Sequence, residues 1–249
     1  MKQMLSKVYA ICMVLLVWYG AYRMLEAFIV PNPWHVFEYL WRESLGGSLW
    51  PHIQASLWRI LWSVAGSLFF GASLGLLAGS VPLVDRLLTP IVYLFYPVPR
   101  VAFLPVFLLL LGLGELSKVA LMIAVAAFYI YIPLRDTVKY LPKSYLQQAR
   151  QFGFNAWQTL RYIILPCVAP ELLTALKLTL GTSMATLFFV ENYVTQWGLG
   201  YFIMTSWFKS DYIALYAGIV LLSLLGNILF ALLGLVQTLS IKWQARSSC

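Results

Sequence analysis

Long stretches of this chain carry almost no charge, and nothing else in the sequence limits its fold as strongly. The runs at about 8–30, 60–80, 88–112, 118–135, 171–191 and 212–238 are apolar over nearly their whole length. About 20 such residues, wound as an α-helix, span the hydrocarbon of a bilayer. The 249-residue chain is 61% hydrophobic and only 10% charged, whereas soluble domains run near a quarter charged. Its mean hydropathy is +0.81. A water-soluble fold of this length would lack the ionisable groups to cover its surface. The expectation is therefore an all-α integral membrane protein with six transmembrane helices, a single domain over 1–249 with modest loops.

The formal net charge of +8 fits cationic cytoplasmic loops rather than nucleic-acid binding. If the N-terminus is cytoplasmic, the inner segments hold Lys2, Lys7, Arg86, Arg135, Lys139, Lys143, Arg150, Arg161, Lys242 and Arg246. The outer ones hold Arg42, Lys118 and Lys209. Ten against three satisfies the positive-inside rule, with both termini cytoplasmic. The basic start and first apolar run lack a small-residue cleavage site, so they read as a retained helix. Residues 31–58 carry Trp34, Trp41, Trp50 and Trp58, as suits a helix in the aromatic belt of the outer interface. Lys118 and Arg135 are expected to snorkel from the ends of the short fourth span. Cys12, Cys167 and Cys249 are scattered, and His35 and His52 have no acid or thiol at ligand spacing, so neither disulfides nor a metal site is expected.

The longest inner loop, 136–170, is the informative one. It reads as a short helix capped near Ser144 and stopping at Gly153. A second amphipathic turn follows with Trp157, Leu160 and Ile164 on one face, and Pro166 and Pro170 reset the chain before the fifth span. A basic, partly apolar loop of this kind either lies on anionic lipid or docks onto a partner.

Ala149, Gly153, Ile163, Leu165 and Pro166 fall at the spacing of a cytoplasmic signature, E-A-A-x3-G-x9-I-x-L-P. In this the chain resembles the membrane subunits of binding-protein-dependent ABC importers. Gln147 and Gln148 stand where that signature has Glu and Ala. Gln keeps the length and hydrogen-bonding capacity of Glu but not the charge a salt bridge to a partner would use. Gly71, Gly75 and Gly79 on the second span, the Pro-rich stretch 96–105, Gly112-Leu113-Gly114-Glu115, Glu191 and Gly198-Leu199-Gly200-Tyr201 are similar to the nitrate, sulfonate and taurine branch. The glycine repeat also has a plain packing explanation, since small residues let helices approach closely in lipid.

The resemblance implies a type I ABC importer permease fold and a chain that is not an enzyme, with no catalytic residues of its own. No Gly-x4-Gly-Lys-Ser/Thr stretch is present to cradle phosphates, so ATP and Mg would be bound by partner ATPase subunits. It further implies a coupling helix, with Tyr145, Gln147, Gln148, Ala149, Phe152, Gly153 and Trp157 facing the ATPase. Ala149 and Gly153 would matter by being small. Two ATPase copies, a second copy of the permease and a periplasmic or lipid-anchored substrate-binding protein would complete a particle in the bacterial inner membrane. Pro97, Pro99, Arg100, Ser183 and Glu191 are candidates for the translocation pathway.

Alternatives stay open at several of these positions. Arg100 either attracts an anionic substrate or snorkels to the headgroups; Lys177 snorkels or caps; Glu191 lines an outer gate, meets the binding protein or is a solvated end-of-helix acid. Arg100 favours a small anion as substrate, and the aromatic content favours a small ring-containing vitamin precursor. Two rival identities are a vitamin-importer subunit served by a membrane-embedded capture protein, and a membrane-embedded enzyme with polar groups inside its spans.

Overall fold

The computed structural model describes residues 2–25 and 29–240. Lys242, Arg246 and Cys249 of the sequence reading lie outside the described residues. Helices dominate, and no strand occurs among the described residues. Contacts divide the chain into two units, 1–56 with 191–225, and 57–190 with the residues from 226 onward.

In the first unit, α1 (Lys2–Met24) precedes α2 (Pro33–Gly46), and α3 (Trp50–Ser80) begins. The side chain of Asn32 caps α2 by accepting from Trp34 N at 3.0 Å, with Pro33 in the first turn, where a missing N–H costs nothing. Val36 and Leu40 turn inward with Leu49 and Ala217, and Trp18, Tyr39 and Ile53 pack around them. Trp18 stacks on Tyr216 at 5.5 Å and donates to Pro31 O at 3.2 Å. Trp34, Trp41, Trp50 and Trp58 are all exposed.

The second unit carries most of α3, then α4 (Pro82–Phe95), a 3₁₀ turn (Arg100–Phe103), α5 (Leu104–Leu111), α6 (Glu115–Ala126) and α7 (Phe128–Lys139). It continues with α8 (Lys143–Gln151), α9 (Ala156–Thr159), a π turn (Leu160–Ile164) and α10 (Leu165–Val190). The remaining helices are α11 (Leu199–Phe208), in the first unit, and α12 (Tyr212–Ser240), which enters the second unit from residue 226. Ile130, Leu134 and Val138, one face of α7, form the core with Ile164, Val168 and Ala175; Val64, Leu68, Ala72 and Leu76 of α3 close over them. A Cβ at Gly71, Gly75 or Gly79 would lie 2.7–2.8 Å from the carbonyl oxygens of Ala127, Tyr131 and Arg135. The glycine repeat is thus the track on which α3 and α7 meet backbone to backbone.

Four helical stretches are long and apolar enough to cross a membrane: Trp50–Ser80, Glu115–Lys139, Ala156–Val190 and Tyr212–Leu239. The pair Pro82–Phe95 and Arg100–Leu111 makes a fifth if taken as one span, and Val8–Met24 is a shorter apolar helix. That pair occupies the segment read as a single span over 88–112, and it bends by 94°. Pro97 and Pro99 remove two backbone donors there, and Pro99 has ψ 83°, outside the helical range.

Other expectations are corrected by the packing. Lys118 and Arg135 do not snorkel: they are 1% and 7% exposed, Lys118 paired with Glu115 and Arg135 held between Asp85 and Asp136. Lys177 donates to Gln237 of α12 instead of reaching a headgroup or a helix end. Pro166 and Pro170 do not interrupt the chain, because the π turn widens the helix just ahead of Pro166 and absorbs its ring; helix runs from Ala156 to Val190.

Candidate functional site

Two places bring the chemistry-bearing residues together. The first is the segment from α8 to the π turn. Pro142, not Ser144, occupies the N-cap of α8, and no side chain caps it. At the other end Phe154 N donates to Ala149 O at 2.9 Å and Gly153 N to Arg150 O at 3.0 Å. These are the two bonds of a Schellman stop, which needs a left-handed residue, and Gly153 has φ +71°. A Cβ at Gly153 would meet no atom within 4 Å, so the requirement is conformational and not spatial. Asn155 and Gln158 then form a reciprocal capping box, each bond 2.8 Å, and start α9.

This turn sorts the predicted docking residues by face. Gln147, Gln148, Phe152 and Trp157 are exposed, Phe152 by 78% and Trp157 by 63%. Tyr145 is half-buried. Ala149 is 2% exposed and packs into its own chain, so its small size serves that packing. Trp157 and Ile164 do not share a face, since Ile164 is buried in the core. Phe152, Phe154 and Tyr162 run in a chain of ring contacts at 6.2 and 6.0 Å, and Arg161 lies 5.9 Å from the Tyr162 ring. Lys143, Arg150 and Arg161 are exposed on the same segment. The result is a segment that displays aromatic rings and three cations to its surroundings.

The second place is the break at Pro97 and Pro99. Arg100, just past it, is half-buried and stands 4.5 Å over the Phe128 ring, with Tyr96 and Tyr129 at 5.8 and 5.7 Å. One N–H reaches Val125 O at 3.4 Å. No carboxylate pairs with it among the described residues. Phe95, Phe103, Phe107, Phe128 and Leu121 line a cavity of about 190 Å³ beside it.

Ser183 and Glu191 belong to neither place. Ser183 is fully buried and shares a 3.0 Å hydrogen bond with Ser63 between α10 and α3. Glu191 is no solvated helix-end acid: it is 0% exposed and accepts from Ser56 Oγ and Gly200 N, both at 2.7 Å. Ser56 Oγ in turn accepts from Leu199 N at 2.8 Å, so the pair staples the start of α11. The sequence reading had no means of pairing Ser56 with a residue 135 positions away. It likewise missed Asp85, which holds Arg135 at 2.6 Å and Lys139 at 2.8 Å, and Arg59, whose guanidinium meets Glu115 at 2.5 Å. An acid near the start of α4 and an arginine in the midst of an apolar helix were the available signals.

Residues 67–244 match the family described as binding-protein-dependent transport system inner membrane component. The chain belongs to that family. This permease is 29% identical over 212 residues to the taurine transport system permease protein TauC of Escherichia coli (strain K12), covering 82% of its own length and 77% of the relative's. It is 28% identical over 219 residues to the riboflavin transport system permease protein RibX of Chloroflexus aurantiacus, covering 88% and 82%. It is 26% identical over 236 residues to the formylaminopyrimidine transport permease protein ThiX of Halalkalibacterium halodurans, covering 94% of each. It is a multi-pass inner-membrane ABC permease of the sulfonate and taurine branch, a non-catalytic subunit that works with a partner ATPase and a substrate-binding protein. The membrane-embedded enzyme and the capture-protein importer are thereby set aside.

Proposed function

We propose that this permease forms the translocation pathway of an importer and is driven through the α8–α9 segment. The observation that carries this reading is the exposed set Gln147, Gln148, Phe152 and Trp157, displayed on a turn that Gly153 and the Asn155 capping box hold in shape. A surface of two glutamines and two aromatic side chains, on a segment that also exposes Lys143, Arg150 and Arg161, suits a cleft on a partner protein. With Gln147 in place of an acid, docking there relies on hydrogen bonds and aromatic burial instead of an ion pair. ATP and Mg bind the ATPase, of which two copies flank a pair of identical permeases, with a periplasmic or lipid-anchored binding protein delivering substrate on the far side. Loop 136–170 and both termini are cytoplasmic in this arrangement. Closure of the ATPases moves α8, and the spans swing between inward-open and outward-open states as rigid bodies.

The substrate is a small anion or a small aromatic, vitamin-precursor-like solute. Pro97, Pro99 and Arg100 are the pathway residues this reading retains, and Ser183 and Glu191 serve helix packing. The test is a Gln148→Cys permease expressed with its ATPase. Cross-linking of the introduced thiol to the ATPase, with hydrolysis stimulated by the substrate-loaded binding protein, is the expected result. A thiol at that position that labels only from outside the cell, or never meets the ATPase, would overturn the assignment.

A further inference from the structure

The charges along α8 constrain the surface that receives it. We infer that the ATPase cleft is acidic and offers carboxylates to Lys143 and Arg150, on either side of Gln147. This rests on the reading of α8 as the segment gripped by the ATPase, and adds the chemistry of the grip.

Geometry gives the first constraint. Lys143, Gln147 and Arg150 stand at i, i+4 and i+7 of one α-helix and so share a stripe. All three are exposed, whereas Tyr145 and Leu146 are half-buried and Ala149 is buried. The apolar side of α8 is thus turned to its own chain. A helix lying on lipid sinks its apolar side into the bilayer, and along α8 that side is already occupied. The exposed rings of Phe152 and Trp157 follow only after α8 has ended.

Charge gives the second. Lys143 and Arg150 make no ion pair with a described residue, in contrast to Arg135 and Lys139, which share Asp85. An acid at 147 would lie within reach of both, four residues after one and three before the other. The amide of Gln147 leaves both charges open. No Asp or Glu occurs between Asp136 and Glu171. The positive-inside rule accounts for cations in such a loop but not for the lack of acids, to which it is nearly indifferent. Lys143 also opens α8, where the positive end of the helix disfavours a cation, and the first turn holds no acid to offset it. Cations kept at a local cost, unpaired on an outward stripe, complement a negative surface. Gln147 itself docks without an ion pair, and its two neighbours supply the pairs.

The experiment measures the affinity of the purified ATPase for the full permease in nanodiscs. The charge at position 147 gives the sign. Gln147→Glu, a nearly isosteric change at an exposed position, should weaken binding about tenfold, and Gln147→Lys should bind at least as tightly as wild type. Lys143→Gln and Arg150→Gln should each weaken it several-fold. Raising the salt from about 0.1 to 1 M shortens the screening length from about 10 to 3 Å. Wild-type binding should then fall at least about tenfold, and that of Gln147→Glu by less. A carbodiimide should join the Lys143 amine to an Asp or Glu of the ATPase as an amide. The reverse order at 147, with Glu tighter than Lys, puts a cation in the cleft and overturns the inference. Affinity unchanged by every substitution, with no carbodiimide product, assigns the stripe to anionic lipid and also overturns it. An ATPase that binds regardless of salt, while its hydrolysis answers to the binding protein, refutes the acidic cleft and leaves the importer reading standing. A permease that recruits no ATPase refutes that reading, and the cleft with it.

Discussion

At Gly153 two explanations of one residue make opposite forecasts. If a small side chain is needed for docking, Asn fails there as badly as Val. If the left-handed φ of +71° is what matters, Asn is tolerated, because its side chain is compatible with that region. The empty space around Gly153 favours the second. Gly153→Val should cost about 1–2 kcal/mol locally and open the Schellman bonds. Hydrogen exchange at the Phe154 amide should then quicken and transport-coupled ATP hydrolysis fall, while Gly153→Asn stays near wild type. Glu191 supports a second forecast at this scale. It accepts from Ser56 and Gly200 in full burial, and Glu191→Ala strands both donors. A loss of about 1–3 kcal/mol follows, read as a lower thermal midpoint of the purified permease, and Glu191→Gln should recover part of it. Gly153 was visible in the sequence as a helix stop. The role of Glu191 was not, because burial and a partner 135 positions away leave no local pattern.

Among the elements, α3 is fixed by what it lacks. Tyr131 O and Arg135 O would lie 2.8 Å from a Cβ at Gly75 or Gly79, and backbone atoms cannot swing aside as a side-chain end can. Gly75→Leu should therefore separate α3 from α7, at an overpacking cost of about 1–3 kcal/mol or more, and reduce the yield of folded permease in a detergent-stability assay. Gly20→Leu, with no atom within 4 Å, should match wild type in the same assay. Apolar runs and glycine spacing made the helices and this seam legible, since both depend on periodicity along one stretch of sequence. The 94° break and the passage of helix through Pro166 were not. A proline states that one N–H is missing, and only the surrounding packing decides whether the chain answers with a turn, as after Pro97, or with a π turn, as before Pro166.

For the whole molecule the proposed coupling raises the question of how a push on α8 would leave that helix. α7 ends at Lys139 and α8 begins at Lys143, and the last turns of α7 are tied to α4 by Asp85, which holds both Arg135 and Lys139. Thr89 Oγ1 adds a bond to Asp85 at 2.6 Å and another contact to Tyr131 at 3.2 Å. Two of the cations that orient the chain in the sequence tally are thus committed to structure, and the exposed Lys143, Arg150 and Arg161 remain for a partner or a membrane surface. The tally counted charges along the chain without reading where they are neutralised. If Asp85 carries motion from α7 to α4 and on to the break at Pro97, then Asp85→Asn should leave the permease bound to its ATPase but lower substrate-stimulated hydrolysis and transport. Arg135→Gln should act alike, and the double variant should be little worse than either single one. The coupling energy from such a cycle should be about 1–3 kcal/mol, measured by denaturation of the purified permease. Additive effects of the two substitutions would mean that the pair is incidental and that α8 moves its neighbours through the apolar contacts of Leu134 and Val138 alone.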